Sequence, residues 1–248
     1  MTDGGVSRRV EGVGGNREVP PEVGSRPRTE TSEPVEGGPW GDASAFRQTR
    51  SEPQASDTIP LSAPWLGERE EELVLEALRS GRLSLGPMVE RFELALAERV
   101  GAPRIAAVSS GTAGLHLAVR LAGVGPRDEV ITTPYSFAAS ANCVLYEGAT
   151  PIFVDVEPRT LNVDPAAVAA AVTERTKGIL AVDIFGYPAE LNELRAISER
   201  HDLAVIEDAC EALGAAYRGQ PIGSLGHPAV FAFYPNKQLT TGDRKSVV

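Results

Sequence analysis

The chain has 248 residues, a formal net charge of −10 and two cysteines, Cys143 and Cys210, without CxxC spacing. That length suffices for one large domain or two small ones with a core needing no metal or disulfide, and the cysteine count excludes a disulfide scaffold and a four-cysteine zinc site. The acidic balance excludes nucleic acid as the main partner. No apolar run approaches the roughly 20 residues that span a bilayer, and the N-terminal MTDGGVSRRVEGVGGN lacks a secretory signal's apolar core, so a cytoplasmic protein with no membrane partner is expected.

Residues 1–57 hold nine Gly and six Pro and neither Leu nor Ile. Such a segment buries too little apolar surface to offset its ordering entropy, and it reads as a disordered N-terminal extension. Periodicity then predicts helices over 68–79 and 87–100. The first carries Leu73, Leu75 and Leu78 among charges; the second has Pro87 in its first turn and Gly101 past its end. Strands are predicted over 105–108, 129–132, 151–154, 178–182 and 203–206, with two more over 213–217 and 229–234. Helices are predicted between them over 112–121, 137–146, 165–172 and 189–201. Continuous apolar strands such as AVI and ILAV, joined by helices of about ten residues, suit strands covered on both faces with parallel crossovers. The fold class is α/β with a doubly wound, mostly parallel sheet. Trp65 is expected to pack near the start of this domain. The last six residues, DRKSVV, complete no element visible in the sequence.

Open α/β sheets bind ligands beyond the carboxyl ends of their strands. Three such places carry chemistry. After the first strand, Ser109-Ser110-Gly111-Thr112 leads straight into a helix; its free amides suit a phosphate, although such a start also serves as a plain N-cap. After the fifth strand comes Asp208, placed either to pair with a ligand cation or to cap a turn. After the last apolar run comes Lys237. Lys177, Lys237 and Lys245 are the whole lysine complement among 24 basic residues, so a lysine behind an aromatic strand is a candidate nucleophilic amine. Together these are the protein parts that pyridoxal phosphate needs: a phosphate cradle, an acid for the ring nitrogen and an amine for the aldehyde. Glu207 reads as a cap or a solvent-facing acid, and Cys210 as a small buried filler. His116, His201 and His227 have no metal-ligand spacing.

Several stretches resemble the DegT/DnrJ/StrS family of sugar aminotransferases: VSSGTAGLHLAV, PRDEVITTPYSFAASANCVLYEGATPIFVDVEPRTLNVD, IFGYPAELNEL, VIEDACEALGAAYRGQPIGSLG and FAFYPNKQLTTG. The resemblance runs over about 59–242. It implies the large domain of the fold-type I, aspartate aminotransferase architecture, with a small C-terminal domain missing. It implies pyridoxal 5′-phosphate as cofactor, glutamate as amino donor, a nucleotide-linked keto sugar as acceptor and a homodimer in the full-length form. Residue by residue, Lys237 matches the lysine that binds the cofactor aldehyde and shuttles the proton. Asp208 matches the acid at the pyridine nitrogen, Gly111 and Thr112 the phosphate turn, and Phe137 the aromatic on the ring. Glu211 stands where members often carry Gln or His near the ring hydroxyl.

Three departures stand out. Ala232 replaces a phosphate-binding serine, and Asp183 stands where many members have histidine. After Gly242 the family's pattern gives way to DRKSVV. The organisation expected is therefore an extension over 1–57, a truncated cofactor domain over 58–242 and a non-native-looking tail over 243–248, which a sequencing adapter would encode in one frame. Other readings are an inactive fragment, or another fold-type I enzyme such as a lyase, a desulfurase or a dehydratase. Lys237 argues against the dehydratase branch, which carries histidine there.

Overall fold

The computed structural model describes residues 63–241 and 246–247; the expected extension over 1–57 lies outside the described residues. The first helix, α1 (Glu68–Arg79), has three acids in its first turn and Arg79 in its last, matching the helix dipole at both ends. In α2 (Pro87–Val100), Pro87 opens the helix and Gly101 closes it in the left-handed conformation at φ 71°. The leucine stripe of α1 is present, but no residue of that helix is buried. Trp65 does not pack either; it is 96% exposed. It precedes the first helix, and no element among the described residues covers it.

The remaining elements alternate: β1 (Ala107–Val108), α3 (Gly111–Leu121), β2 (Glu129–Thr132), α4 (Ala139–Leu145), β3 (Thr150–Phe153), α5 (Pro165–Ala171), β4 (Thr176–Val182), α6 (Leu191–His201) and β5 (Ala204–Asp208). A small hairpin of β6 (Ala216–Tyr217) and β7 (Gln220–Pro221) follows, then β8 (Ala229–Ala232) and β9 (Ser246–Val247). The main sheet has the order β1-β9-β8-β5-β4-β2-β3. Strands β3, β2, β4, β5 and β8 run parallel, and β9 is antiparallel to both β1 and β8.

The pleat divides the core in two. Val130, Leu180, Ile206 and Val230 pack with Leu115, Val119 and Val144 of α3 and α4. Ile131, Ile179, Ala181 and Phe231 pack on the other face with Leu96, Val168 and Leu194 of α2, α5 and α6. Each fully buried aliphatic side chain is worth about 1.5–3 kcal/mol relative to exposure. Cys143 lies in the first of these cores, where burial and then the Asp208 charge push its thiol up to about 12.

Further expectations change. The strand expected over 213–217 shrinks to Ala216–Tyr217 and pairs only with β7, outside the main sheet. Gly214 at φ 86° breaks its first half, and Arg218 and Gly219, both at positive φ, turn the chain tightly back. The tail does enter an element: Ser246–Val247 forms β9, between β1 and β8. Main-chain pairing needs no hydrophobic period, so a short segment without one can still fill the gap between two strand edges. The helix expected from 137 begins only at Ala139, which leaves Phe137 in the preceding loop.

Candidate active site

Beyond the carboxyl ends of the parallel strands lies a cavity of about 600 Å³, lined among others by Gly111, Thr112, Phe137, Asp208, Glu211 and Lys237. All six residues singled out from the sequence therefore meet in one place. The volume is that of a pocket for a cofactor-sized ligand.

The phosphate-type corner is the start of α3. Ser110 caps it, its Oγ accepting from the Ala113 amide at 3.1 Å. The amides of Gly111 and Thr112 precede the first intrahelical hydrogen bonds, so they have no acceptor within the helix. Ala232 lines the same cavity and offers no hydroxyl. An anion there would depend on the helix amides and their dipole.

Asp208 ends β5 and is buried. Its Oδ2 accepts from Ser140 Oγ at 2.7 Å, and Ser140 is in turn 2.6 Å from Ser136 Oγ. Its Oδ1 accepts from the Cys210 amide at 3.3 Å. The acid is thus held from α4 and from its own turn, at the cavity wall. Burial, and then the Asp208 charge, push the neighbouring Cys210 thiol well above its ordinary range. A neutral, largely covered thiol is a poor nucleophile, which disfavours a sulfur-carrying role.

Lys237 follows β8, and its Nζ donates to Glu211 Oε1 at 2.9 Å. The other oxygen of Glu211 accepts from the Phe185 amide at 3.0 Å. Gln238 bonds the Glu211 carbonyl from the same side. Burial pushes the Glu211 carboxyl up, but the hydrogen bonds from Lys237 and Phe185 outweigh it and hold the group below the usual glutamate range. Phe137 stands 79% exposed at the cavity edge, with its ring free to meet a ligand.

Glu207 is neither a cap nor solvent-facing: it is 0% exposed. Its neighbour Asp208 takes the α3/α4 side of the pleat, so Glu207 takes the opposite side. There its Oε2 lies 3.1 Å from His227 Nε2. Burial pushes Glu207 up to about 7. Burial, then the Arg195 charge, pull His227 below its ordinary value. The contact is therefore best described as a hydrogen bond rather than a full ion pair. Asp183, the residue that departs from the family's histidine, is raised well above the usual carboxylate range by burial and then by Glu207. Asp183 Oδ2 and Glu207 Oε1 have no hydrogen-bond partner among the described residues; a proton on either carboxyl would give it a donor. Ser140 and Asn162, both buried, carried no separate signal in the sequence. His116 pairs with Glu147 at 2.6 Å, away from the cavity lining. Among the described residues no cluster fit for a metal occurs, and no helix is long and apolar enough to cross a membrane.

A mostly parallel sheet with one antiparallel strand, and a lysine-bearing cavity beyond its strand ends, has the architecture of the fold-type I transferases. The chain belongs to the DegT/DnrJ/EryC1/StrS aminotransferase family, which it matches over residues 64–245. It is 44% identical over 185 residues to the spore coat polysaccharide biosynthesis protein SpsC of Bacillus subtilis, covering 75% of this chain and 48% of that one. It is 44% identical over 186 residues to the GDP-perosamine synthase of Caulobacter vibrioides, covering 75% and 50%. A Streptococcus pneumoniae protein solved in its PLP form superposes with a TM-score of 0.73 at 32% identity, over 77% of this chain and 52% of that one. The chain spans about half the length of the curated relatives it matches.

Proposed function

We propose that this chain carries the cofactor site of a pyridoxal-phosphate-dependent aminotransferase that moves an amino group from glutamate to a nucleotide-linked keto sugar. The observation that carries the reading is the convergence of Lys237, Asp208 and the α3 amides on one cavity. Family membership and the GDP-perosamine synthase relative support the sugar-nucleotide substrate class. When bound, the cofactor supplies an electron sink that acidifies the donor's α-proton.

The residues divide that work. Lys237 would hold the cofactor through its amine and move the proton at Nζ. Asp208, oriented by Ser140, would keep the ring nitrogen protonated. Gly111 and Thr112 would hold the phosphate through their amides, without help from a serine at Ala232. Phe137 would lie against the ring, and Glu211 would sit near its hydroxyl. The full-length enzyme would act as a homodimer in the cytoplasm.

The test begins with the cofactor added to the 248-residue chain. The visible band of lysine-bound cofactor is expected, and Lys237→Ala should abolish it. Amino transfer from ¹⁵N-glutamate to a panel of nucleotide-linked keto sugars is then followed by mass spectrometry. Lys237→Ala is expected to lower turnover about 10²–10⁴-fold, the usual scale of a lost acid–base group. Retained turnover in that variant would refute the role of Lys237. Transfer to no keto sugar together with release of another product would refute the substrate class.

A further inference from the structure

We propose that Asn162 is a positioning residue for Lys237: its side chain clamps the Ile184–Gly186 turn, and that turn aims the Phe185 amide at Glu211, the partner of the Lys237 amine. Its significance for catalysis rests on Lys237 being the cofactor lysine. The clamp itself is a property of the protein without cofactor.

Asn162 lies in the loop between β3 and α5 and is buried. Its Oδ1 accepts from the Ile184 amide at 3.1 Å. Its Nδ2 donates to the Tyr187 carbonyl at 2.8 Å. One amide side chain therefore grips both ends of a single turn from more than 20 residues away in sequence. Asn suits this because it offers a donor and an acceptor on one short, rigid group.

Other bonds fasten the same turn. The Ala189 amide donates to Asp183 Oδ1 at 2.9 Å. The Gly186 amide donates to the Asp183 carbonyl at 3.2 Å, and the Tyr187 amide to the Ile184 carbonyl at 3.0 Å. The turn needs this fastening because Phe185 sits at φ 52°, ψ 23°. For a residue with a Cβ that left-handed conformation is strained, and it persists only where the surroundings enforce it.

Within the turn, the Phe185 amide points away to Glu211 Oε2. That contact occupies one carboxylate oxygen and leaves Oε1 for Lys237 Nζ. Without the lateral donor the carboxylate is free to rotate about its last torsion. Gly186 completes the fit. Its backbone is at φ 84°, and a Cβ there would lie 3.0 Å from the Glu211 carbonyl oxygen, so the turn approaches Glu211 more closely than a side chain comfortably permits. The route from Asn162 to Lys237 thus runs through hydrogen bonds to Ile184 and Tyr187, along the backbone of the turn to Phe185, and through hydrogen bonds again to Glu211 and the amine.

The test uses the cofactor-free 248-residue chain and needs no turnover. Lysines are methylated with formaldehyde and cyanoborohydride at fixed pH, and the rate at each site is read by mass spectrometry. Lys177, exposed on β4, is the internal reference. Glu211→Ala should raise the Lys237-to-Lys177 rate ratio about tenfold, the order expected from losing one charge-assisted hydrogen bond. Asn162→Ala should raise it by a similar factor, and the double variant should rise no further. Asn162→Asp keeps the acceptor for Ile184 and loses the donor to Tyr187, so it should fall between. Gly186→Ala, which pushes the turn off Glu211 without touching Asn162, should reproduce the rise and serves if Asn162→Ala does not fold. An unchanged ratio in Asn162→Asp and Gly186→Ala would overturn the proposal. So would effects of Asn162→Ala and Glu211→Ala that multiply, because a merely structural role would add independently. Cofactor binding by the unaltered chain tests the role of Lys237 separately, so the two failures are distinguishable.

Discussion

Glu207 and Asp208 are neighbours on one strand and both are buried, yet they belong to opposite sides of the molecule. Asp208 faces α4 and the cavity, with Ser140 and the Cys210 amide on its two oxygens. Glu207 faces the α2/α5/α6 side, bonded to His227 and close enough to Asp183 to raise that carboxyl. The pleat separates them, since successive residues of a strand point to opposite faces. The difference teaches that burial alone does not mark a working carboxylate. Asp208 keeps an opening toward the cavity; Glu207 is sealed, and burial raises its carboxyl.

Substitutions on the two sides should behave oppositely. The largest effect is expected from Asp208→Asn, which removes the charge at the cavity wall and preserves the shape. Turnover with glutamate and a keto sugar should fall about 10²-fold or more, the scale of losing one preorganised electrostatic partner. The thermal midpoint should move little. A variant with near-normal turnover would erase the contrast with Glu207.

Ser140→Ala should act in the same direction and less strongly. It removes one hydrogen bond to Asp208 and leaves the acid in place, so a loss of about tenfold in turnover is expected. Steady-state kinetics with intact cofactor loading would measure it. A loss as large as that of Asp208→Asn would mean that Ser140 itself meets the ligand.

Glu207→Gln should have the smallest effect on turnover and a distinct effect on stability. Glu207 is pushed up to about 7 from an ordinary value of 4.5. An acid raised on folding binds more protons in the folded state between those values. Its stability contribution is therefore full below about pH 4.5 and is lost as pH rises through 7. The unaltered chain should lose on the order of 1–3 kcal/mol across that window from this group. Glu207→Gln cannot ionise and should show a flatter profile. His227, pulled below its ordinary value, works the other way: the stability lost to its protonation returns as pH rises toward 6.5 in both proteins. The difference between the two melting curves reports Glu207 together with Asp183, whose carboxyl Glu207 helps to raise. Parallel pH profiles would show that the acid is already balanced by His227 at every pH.

Much of this arrangement is legible in the amino-acid sequence. Periodicity places α1 and α2 at their observed bounds and most other elements within one or two residues. The apolar runs declare strands covered on both faces. Lys237, Asp208 and the turn at Gly111 stand out because each lies at or beyond the end of a strand, where an α/β sheet opens to ligands. Local chemistry suffices for these inferences: turn residues, caps and hydrophobic period act over a few positions.

What the sequence could not declare depends on distance along the chain. Ser140 reaches Asp208 across 68 residues, and Asn162 reaches the turn at Ile184 across 22. No spacing rule foretells such contacts, because they arise from the order in which the strands assemble. The buried fate of Glu207 belongs to the same class: alternation separates it from Asp208, but only the helices packed behind the sheet seal it from water. The place of Ser246–Val247 between β1 and β8 is likewise a matter of two strand edges and the gap between them. The sequence by itself determined most of the elements, the fold class and the residue types offered at the strand ends. The tertiary structure decided which of those residues share a cavity and which carboxyls are sealed from water, because burial and hydrogen-bond partnership exist only once distant segments are brought together.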